Sequence, residues 1–221
     1  MKDRKGNAPV TTNKEQILSK LRNAVMEKPE AMFEDIDLQS DTWNPIKEED
    51  GNAITFVQNF KDMGGIFIYL ENEADLGECL HQLAPQNDWE PLWCTNKEIQ
   101  TLLEKHHVAY CTEPVPDKKR VTSIIPCDYL IAQTGSIMVT DGKTGSRKAY
   151  TDCDVLLVVA YSNQVVGGLK EALQQLKDRH DRQTFSQAVI LTGLTHSFDI
   201  EQETVTGVFG ARQIAVFLID E

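Results

Sequence analysis

The apolar residues of this chain recur at two spacings, one typical of amphipathic helices and one typical of buried strands. From Asn52 onward they occupy the i, i+3, i+4 and i+7 positions of a helix, which the pair Gly64-Gly65 ends. The apolar run GIFIYL follows directly and predicts a strand. The same order repeats downstream, with helices around residues 76–83 and 99–103 and strands near EPLWC, VAYC, DVLLVVAY, AVIL and QIAVFLI.

Strands that alternate with helices need crossover connections, which place parallel strands in one sheet and helices on both of its faces. The run DVLLVVAY, residues 154–161, fits a central strand, and residues 163–181 after it predict a long covering helix. One stretch departs from this order, because the strand-like SIMVT leads into Asp141-Gly142, a dipeptide suited to a tight hairpin. We therefore expect an α/β fold in which helices cover both faces of a mostly parallel sheet that carries an antiparallel hairpin.

The pattern also predicts the domain organisation. Residues 14–27 carry apolar positions at helical spacing and are followed by an acidic, proline-containing segment. We interpret residues 1–40 as an N-terminal helical appendage and residues 41–221 as a single α/β domain.

Composition narrows the classes of function. The formal net charge is −12, whereas a nucleic-acid binder needs clustered Lys and Arg facing phosphates, so a small molecule or a protein is the expected partner. No segment has the apolar length of a signal peptide core or a membrane span. We expect a cytoplasmic protein, and the sequence leaves its oligomeric state open.

The five cysteines include no Cys-x-x-Cys pair, which favours reduced, mostly buried thiols over disulfides, a metal site or an iron–sulfur cluster. His106 and His107 close a helical pattern, and no further ligands accompany them at metal-binding spacing.

The basic segment DGKTGSRK, residues 141–148, resembles a phosphate-binding P-loop only superficially. A P-loop requires glycine where this chain has Ile137, and it requires a helix immediately after the loop. Lys143, Arg147 and Lys148 are candidates for binding an anion, although a solvated hairpin tip is the more common role of such residues.

Two further segments offer hydroxyl and amide donors. The first is QTGS, residues 133–136, where glycine permits close approach of a ligand; a glycine bulge or turn is the alternative. The second follows AVIL, where Thr192, Thr195 and Ser197 precede a predicted helix start at Asp199. We expect this segment at the carboxyl edge of the sheet, where open α/β sheets bind ligands.

The carboxylates of the second segment have two interpretations. Asp199 and Glu201 could act as a general base or a nucleophile. Helix capping explains Asp199 equally well, and the helix dipole explains Glu201. Gly207 and Gly210 fit a turn into the last strand.

The stretches CDYLIAQTGSIMV, residues 127–139, and GLTHSFDIEQETVTGVFGARQIAVFLID, residues 193–220, together resemble the LUD domain family, in particular its lactate utilisation protein C type. The matching positions are Asp128, Ile131, Ala132, Thr134, Gly135, Ser136, Arg147, Gly193, Ser197, Asp199, Ile200, Glu201, Gly207 and Gly210. The chain departs from the family pattern at Leu194-Thr195, Phe198, Phe209 and Ala211, where the family has Pro-Ser, Ala, His and Pro.

The resemblance implies a Rossmann-like three-layer α/β/α fold like that of glucosamine-phosphate deaminase, ribose-phosphate isomerase and coenzyme A transferases. It also implies an accessory role in oxidising L-lactate to pyruvate with two partner proteins, one of them bearing iron–sulfur clusters, so that this chain binds no cofactor itself. The predicted ligand is a small anionic metabolite. Its predicted contacts are Gln133, Thr134, Gly135, Ser136, Arg147, Gly193, Thr195, Ser197, Gly207 and Gly210, with Asp199 and Glu201 as catalytic candidates.

Two alternatives remain open at this point. One is a stand-alone enzyme of the same fold group, either like 5-formyltetrahydrofolate cyclo-ligase or an acyl or coenzyme A transferase that uses Glu201 as nucleophile. The other is a binding module without catalysis, since Phe198 and Phe209 would fill space that polar ligands need.

Overall fold

A computed structural model of the chain describes residues 13–26, 51–115, 120–180, 185–194, 196–198, 204–206 and 210–220. The chain divides into two compact units, Met1–Thr42 and Trp43–Glu221. The described part of the first unit is helix α1 (Asn13–Met26), on which Ile17 and Leu18 are exposed. All other described residues belong to the second unit.

The second unit is built on a six-stranded sheet in which every pair of neighbouring strands is parallel. From one edge to the other the strands are β1 (Ile66–Leu70), β12 (Gln213–Ile219), β7 (Val155–Tyr161), β4 (Thr122–Pro126), β2 (Leu92–Trp93) and β3 (Tyr110–Cys111). The central strands β7 and β12 are continuous apolar runs because helices cover both of their faces. The predicted α/β fold with a mostly parallel sheet is confirmed.

The helices form a layer on each face of this sheet. They are α2 (Gly51–Asp62), α3 (Glu73–Gln86), α4 (Lys97–Lys105), α5 (Asp141–Thr144) and α6 (Lys148–Thr151). Helix α7 (Leu169–His180) instead packs against the strands of a second sheet. Leu157 of β7 packs with the apolar residues of α3 and α4, whereas its neighbours Leu156 and Val158 pack with those of α2 and α6. The alternation of side chains along one strand thus divides the core into two clusters.

The connections leave β2 and β4 in opposite directions, although these two strands are neighbours. The chain passes from β2 through α4 outward to β3, and it passes from β4 through α5 and α6 toward β7. Because right-handed crossovers in opposite directions place their helices on opposite faces, the carboxyl ends of β2 and β4 flank a crevice between the two layers.

A second, four-stranded sheet carries the antiparallel pairing. Its order is β8 (Val165–Val166), β5 (Tyr129–Ile131), β6 (Ser136–Thr140) and β9 (Ala188–Leu191). Strand β6 runs antiparallel to both β5 and β9. An antiparallel hairpin therefore exists, but it joins β5 to β6 through residues 132–135 and does not lie at the predicted position after β6.

Three local predictions are wrong. Asp141-Gly142 is not a hairpin turn, because the Thr140 hydroxyl caps this segment by accepting the Lys143 N–H, and helix α5 forms instead. The Val165-Val166 pair, predicted at the start of a long helix, pairs with β5 as β8. The strand AVIL lies at the edge of the second sheet with Ile190 41% exposed, so it is not a buried strand.

Helix α2 lies directly against two glycines of this second sheet. Gly135 has φ +62°, and a Cβ atom there would lie 2.5 Å from the backbone nitrogen of Phe60. Gly193 has φ +68°, and its Cβ would lie 2.9 Å from Cβ of Met63. The Asn59 amide adds hydrogen bonds to the carbonyl oxygens of residues 132 and 133, at 2.8 and 3.2 Å. Glycine is therefore needed at both positions for backbone conformation and for space.

The start of β9 is fixed by one carboxylate. Asp141 accepts the backbone N–H groups of Ser186 and Gln187, at 2.9 and 3.1 Å, and also the Ser186 hydroxyl. Arg147 donates from Nε and Nη2 to the same carboxylate, at 3.3 Å each. These interactions, the Ser186 hydroxyl above all, hold the pKa of Asp141 well below its usual range.

The close packing of α2 predicts unequal effects of two glycine substitutions. Gly210 also has positive φ, but a Cβ there would meet nothing within 4 Å. We expect G210A to lower the free energy of unfolding by about 1 kcal/mol through backbone strain. G135A should cost about 2 kcal/mol more, because overpacking against Phe60 adds to the same strain. Urea unfolding of both variants measures the difference, and equal losses would contradict the packing argument.

The lowered pKa of Asp141 predicts how its contribution depends on pH. A carboxyl whose folded pKa lies below its unfolded value stabilises the protein above the unfolded value, 3.8, and this stabilisation is lost as the pH falls toward the folded pKa. We expect D141N to lower the urea midpoint at pH 7 and to differ less from wild type at pH 3. D62N, which changes an exposed carboxylate in the same way, is the control; a pH-independent difference for D141N would refute the assignment.

Candidate functional site

The predicted site residues fall into separate places. Residues 133–136 and Gly193 lie beneath α2, and Arg147 and Gly210 line a cavity beside β9. Four residues lie outside the described part of the chain: Thr195, Asp199, Glu201 and Gly207. Ser197 is described only as a backbone position in a short strand. The predicted binding and catalytic roles of all of these residues remain predictions.

A chain of three hydroxyl groups joins the two predicted loops. Thr134 Oγ1 and Ser136 Oγ are 2.7 Å apart, and Ser136 Oγ is 2.7 Å from Thr192 Oγ1. The loops meet because β6 begins where its antiparallel partner β9 ends. Ser136 is buried and Thr192 is exposed, so the chain connects the interior to the surface. Such a chain can present a hydroxyl to a ligand at Thr192.

The backbone amides of the first loop are already engaged. The Gln133 N–H donates to Gly167 at 3.0 Å, and the Gly135 N–H donates to Ala132 at 3.3 Å. Gly135 itself is required by the contact with α2. The turn therefore offers hydroxyl groups, not the row of free amides that binds an anion in a backbone nest.

The cavity beside β9 has a volume of about 590 Å³. Its walls include Arg147, Tyr150, Asp152, Val189, Leu191 and Gly210. The fold thus places two predicted ligand contacts, Arg147 and Gly210, at one cavity although they are far apart in sequence. The volume lies within the range of small-molecule sites.

Arg147 is held rigidly at this cavity. Nε and Nη2 bind Asp141, and Nη2 also reaches the Ser186 hydroxyl, whereas Nη1 makes no hydrogen bond with any described residue. Asp141 is satisfied by several other donors as well, so the guanidinium keeps donors for a ligand. The nearby Tyr150 hydroxyl is buried and has no hydrogen-bond partner among the described residues, and burial raises its pKa. The arrangement can bind a carboxylate beside an apolar wall.

The segment that contains both catalytic candidates is flanked by strands. β10 (His196–Phe198) pairs antiparallel with β11 (Thr204–Thr206), and Phe198 lies opposite Thr204. The helix predicted to begin at Asp199 lies outside the described residues.

A second cavity, of about 270 Å³, lies at the carboxyl ends of β4 and β7, beside helix α4, which follows β2; sequence reasoning missed it. Lys143, Glu73, Glu98 and Tyr161 are among the residues that line it. The sequence indicates Lys143 only as part of a basic segment, and no sequence pattern indicates Glu73 or Glu98. The missing information was the strand order, since only the reversal of the crossovers identifies this edge as a binding crevice.

Cysteine chemistry at these sites is not supported. All five cysteines are free thiols, and burial raises the pKa of Cys94, Cys127 and Cys153 to about 12. Among the described residues, no group of three or more His, Cys, Asp or Glu side chains is arranged to hold a metal ion. Within the same residues, no helix combines the length and apolarity needed to cross a membrane.

A comparison with solved structures supports the fold. The crystal structure of a DUF162 family protein from Deinococcus radiodurans superposes with a TM-score of 0.56 and is 16% identical. The similarity covers 79% of this chain and 99% of that one. At this level of identity the likeness establishes the fold and no shared activity.

A comparison with protein-family models addresses the sequence resemblance. Residues 121–219, which run from the start of β4 to the end of β12, match the LUD domain. The match includes the hydroxyl chain, Arg147 and both flanks of the cavity beside β9. It does not distinguish the lactate utilisation protein C type from other members. The C-terminal part of this chain therefore matches the LUD domain, on an α/β fold shared with a solved DUF162 family protein.

Proposed function

We propose that this chain is an accessory subunit of the lactate-utilisation type, which binds a small anionic ligand and takes part in the oxidation of L-lactate to pyruvate. The LUD domain match connects the chain with lactate utilisation in general. The observation that carries the finer proposal is the Arg147 guanidinium, which lines the cavity beside β9 with Nη1 uncommitted among the described residues.

The surroundings of Arg147 favour an anion with a small apolar body. A guanidinium that is already oriented by Asp141 loses little conformational freedom when it binds a carboxylate. Val189 and Leu191 form an apolar wall of the same cavity. L-Lactate and pyruvate each combine a carboxylate with a methyl group, and both are small enough for the space.

The oxidation requires electron carriers that we assign to partner proteins. Iron–sulfur clusters are held by grouped, deprotonated cysteines, and this sequence has no Cys-x-x-Cys pair. Three of its thiols are buried with a raised pKa, which disfavours the thiolate that a cluster needs. In this proposal the iron–sulfur proteins supply the redox groups, and this chain supplies ligand binding. No observation on the described residues favours the transferase alternative, which depends on Glu201.

The proposal predicts that Arg147 determines anion binding. We expect R147Q to weaken binding of L-lactate or pyruvate about tenfold or more, as expected for the loss of a charge-assisted hydrogen bond. R147K should restore part of the affinity, since lysine keeps the charge but lacks the planar fork. Isothermal titration calorimetry at millimolar ligand measures both effects.

R212Q is the matched control, because Arg212 is exposed and pairs only loosely with Asp154, at 3.9 Å. Thermal unfolding of each variant shows whether β9 remains anchored. Absence of lactate and pyruvate binding to the wild-type chain, together with normal growth on L-lactate after gene deletion, would refute the proposal.

A further inference from the structure

The cavity of about 270 Å³ at the carboxyl ends of β4 and β7 is bounded from both layers of the fold. Glu98, Ile99 and Leu102 belong to α4 on one face, and Lys143 belongs to α5 in the connection to the other face. Pro126 at the end of β4 lies between them. Ligands in open α/β sheets bind where crossovers diverge in this way, because no helix covers the strand ends.

Opposite charges line this cavity without pairing. The half-buried Lys143 ammonium makes no hydrogen bond or ion pair with any described residue, and the exposed Glu98 carboxylate likewise has no partner among them. The buried Asp128 carboxyl is close enough for the charge of Lys143 to act on its pKa, but the two form no ion pair. Lys143 is thus available to an anionic group and Glu98 to a cationic one.

Glu73, the other carboxylate of the cavity, is already engaged. Its Oε2 lies 3.2 Å from the Lys105 ammonium, and its Oε1 accepts the Tyr161 hydroxyl at 3.2 Å. A simple anion on Lys143 would therefore approach two carboxylates, and a simple cation on Glu98 would approach Lys143. A molecule that carries both charges avoids either repulsion and complements both ends.

The remaining walls set the size and polarity of such a molecule. Ile99, Leu102 and Val159 are buried apolar residues, and the cavity volume of about 270 Å³ leaves room for a small side chain. We propose that this cavity binds a small apolar α-amino acid as a zwitterion, with its carboxylate on Lys143, its ammonium on Glu98 and its side chain against Ile99, Leu102 and Val159.

This site is independent of the anion site beside β9. The two cavities share no lining residue. Substitutions at Lys143 and Glu98 therefore leave Arg147 and its ligand unaffected, and each site can fail without the other.

Matched ligands test the proposed carboxylate contact and the proposed ammonium contact separately. L-Valine carries both charges, 3-methylbutanoate lacks the ammonium, and isobutylamine lacks the carboxylate. With the full chain in calorimetric or NMR titrations, we expect L-valine to bind about tenfold or more tightly than either single-charge analogue. 2-Hydroxy-3-methylbutanoate, with a hydroxyl in place of the ammonium, should bind more weakly than L-valine because a charged donor is replaced by a neutral one.

Two variants test which residue contacts the carboxylate and which contacts the ammonium group. K143Q should weaken binding of L-valine and 3-methylbutanoate but not of isobutylamine, because it removes the repulsion between Lys143 and that cation. E98Q should weaken binding of L-valine and isobutylamine but not of 3-methylbutanoate, because it removes the repulsion between Glu98 and that anion. K148Q and E78Q make the same changes at exposed positions outside the cavity and should bind as wild type does. Both cavity variants change surface-accessible side chains, and their thermal unfolding should match wild type.

Three results would each overturn the proposal. The first is that L-valine binds no more tightly than 3-methylbutanoate, and the second is that wild type and both cavity variants bind L-valine equally. The third is that folded wild-type protein binds no L-valine at about 10 mM, a concentration well above the dissociation constant expected of a specific site. Loss of lactate binding in R147Q bears only on the other site.

Discussion

The arrangement of this molecule depends on one constraint. The crossover connections that leave the neighbouring strands β2 and β4 run in opposite directions. Parallel strands cannot be joined by tight turns, so each connection must cross a face of the sheet. One direction of travel places α3 and α4 on one face, and the other places α6 on the opposite face, where α2, which precedes β1, also packs. This covers the apolar strands β7 and β12 on both sides and leaves the crevice with Lys143 and Glu98 open at the strand ends.

The second sheet packs against helix α2 at glycine positions, where the contact is closer than any side chain would allow. Helix α2 rests its backbone on Gly135, and Asn59 holds the carbonyl groups of the same turn. Asp141 fixes the other end of β9 through Ser186 and Arg147. These contacts hold β9 at both ends. The hydroxyl chain and the cavity beside β9 therefore keep fixed relative positions, as preorganised binding requires. The same residues therefore serve both folding and the proposed recognition of an anion.

The sequence predicts the elements that are buried on both faces. It does not predict a strand that contains polar residues, or a turn at which a helix cap competes with a hairpin. Continuous apolar runs identify β7 and β12, but β4 contains Thr122 and Ser123 and gives no such signal. Asp141-Gly142 satisfies the rule for a tight hairpin, yet the Thr140 cap makes a helix. The loops of the predicted site are brought together, whereas the crevice depends on strand order, a long-range property that periodicity does not contain.

Burial of three cysteines also determines how this chain withstands oxidants. Peroxides attack the thiolate, and a thiol with a pKa of about 12 is ionised in roughly one molecule in 100,000 at pH 7. Cys127 lies directly after β4, beside the crevice, and is fully enclosed. Peroxide therefore oxidises these three sulfur atoms far more slowly than it oxidises an exposed thiol of ordinary pKa.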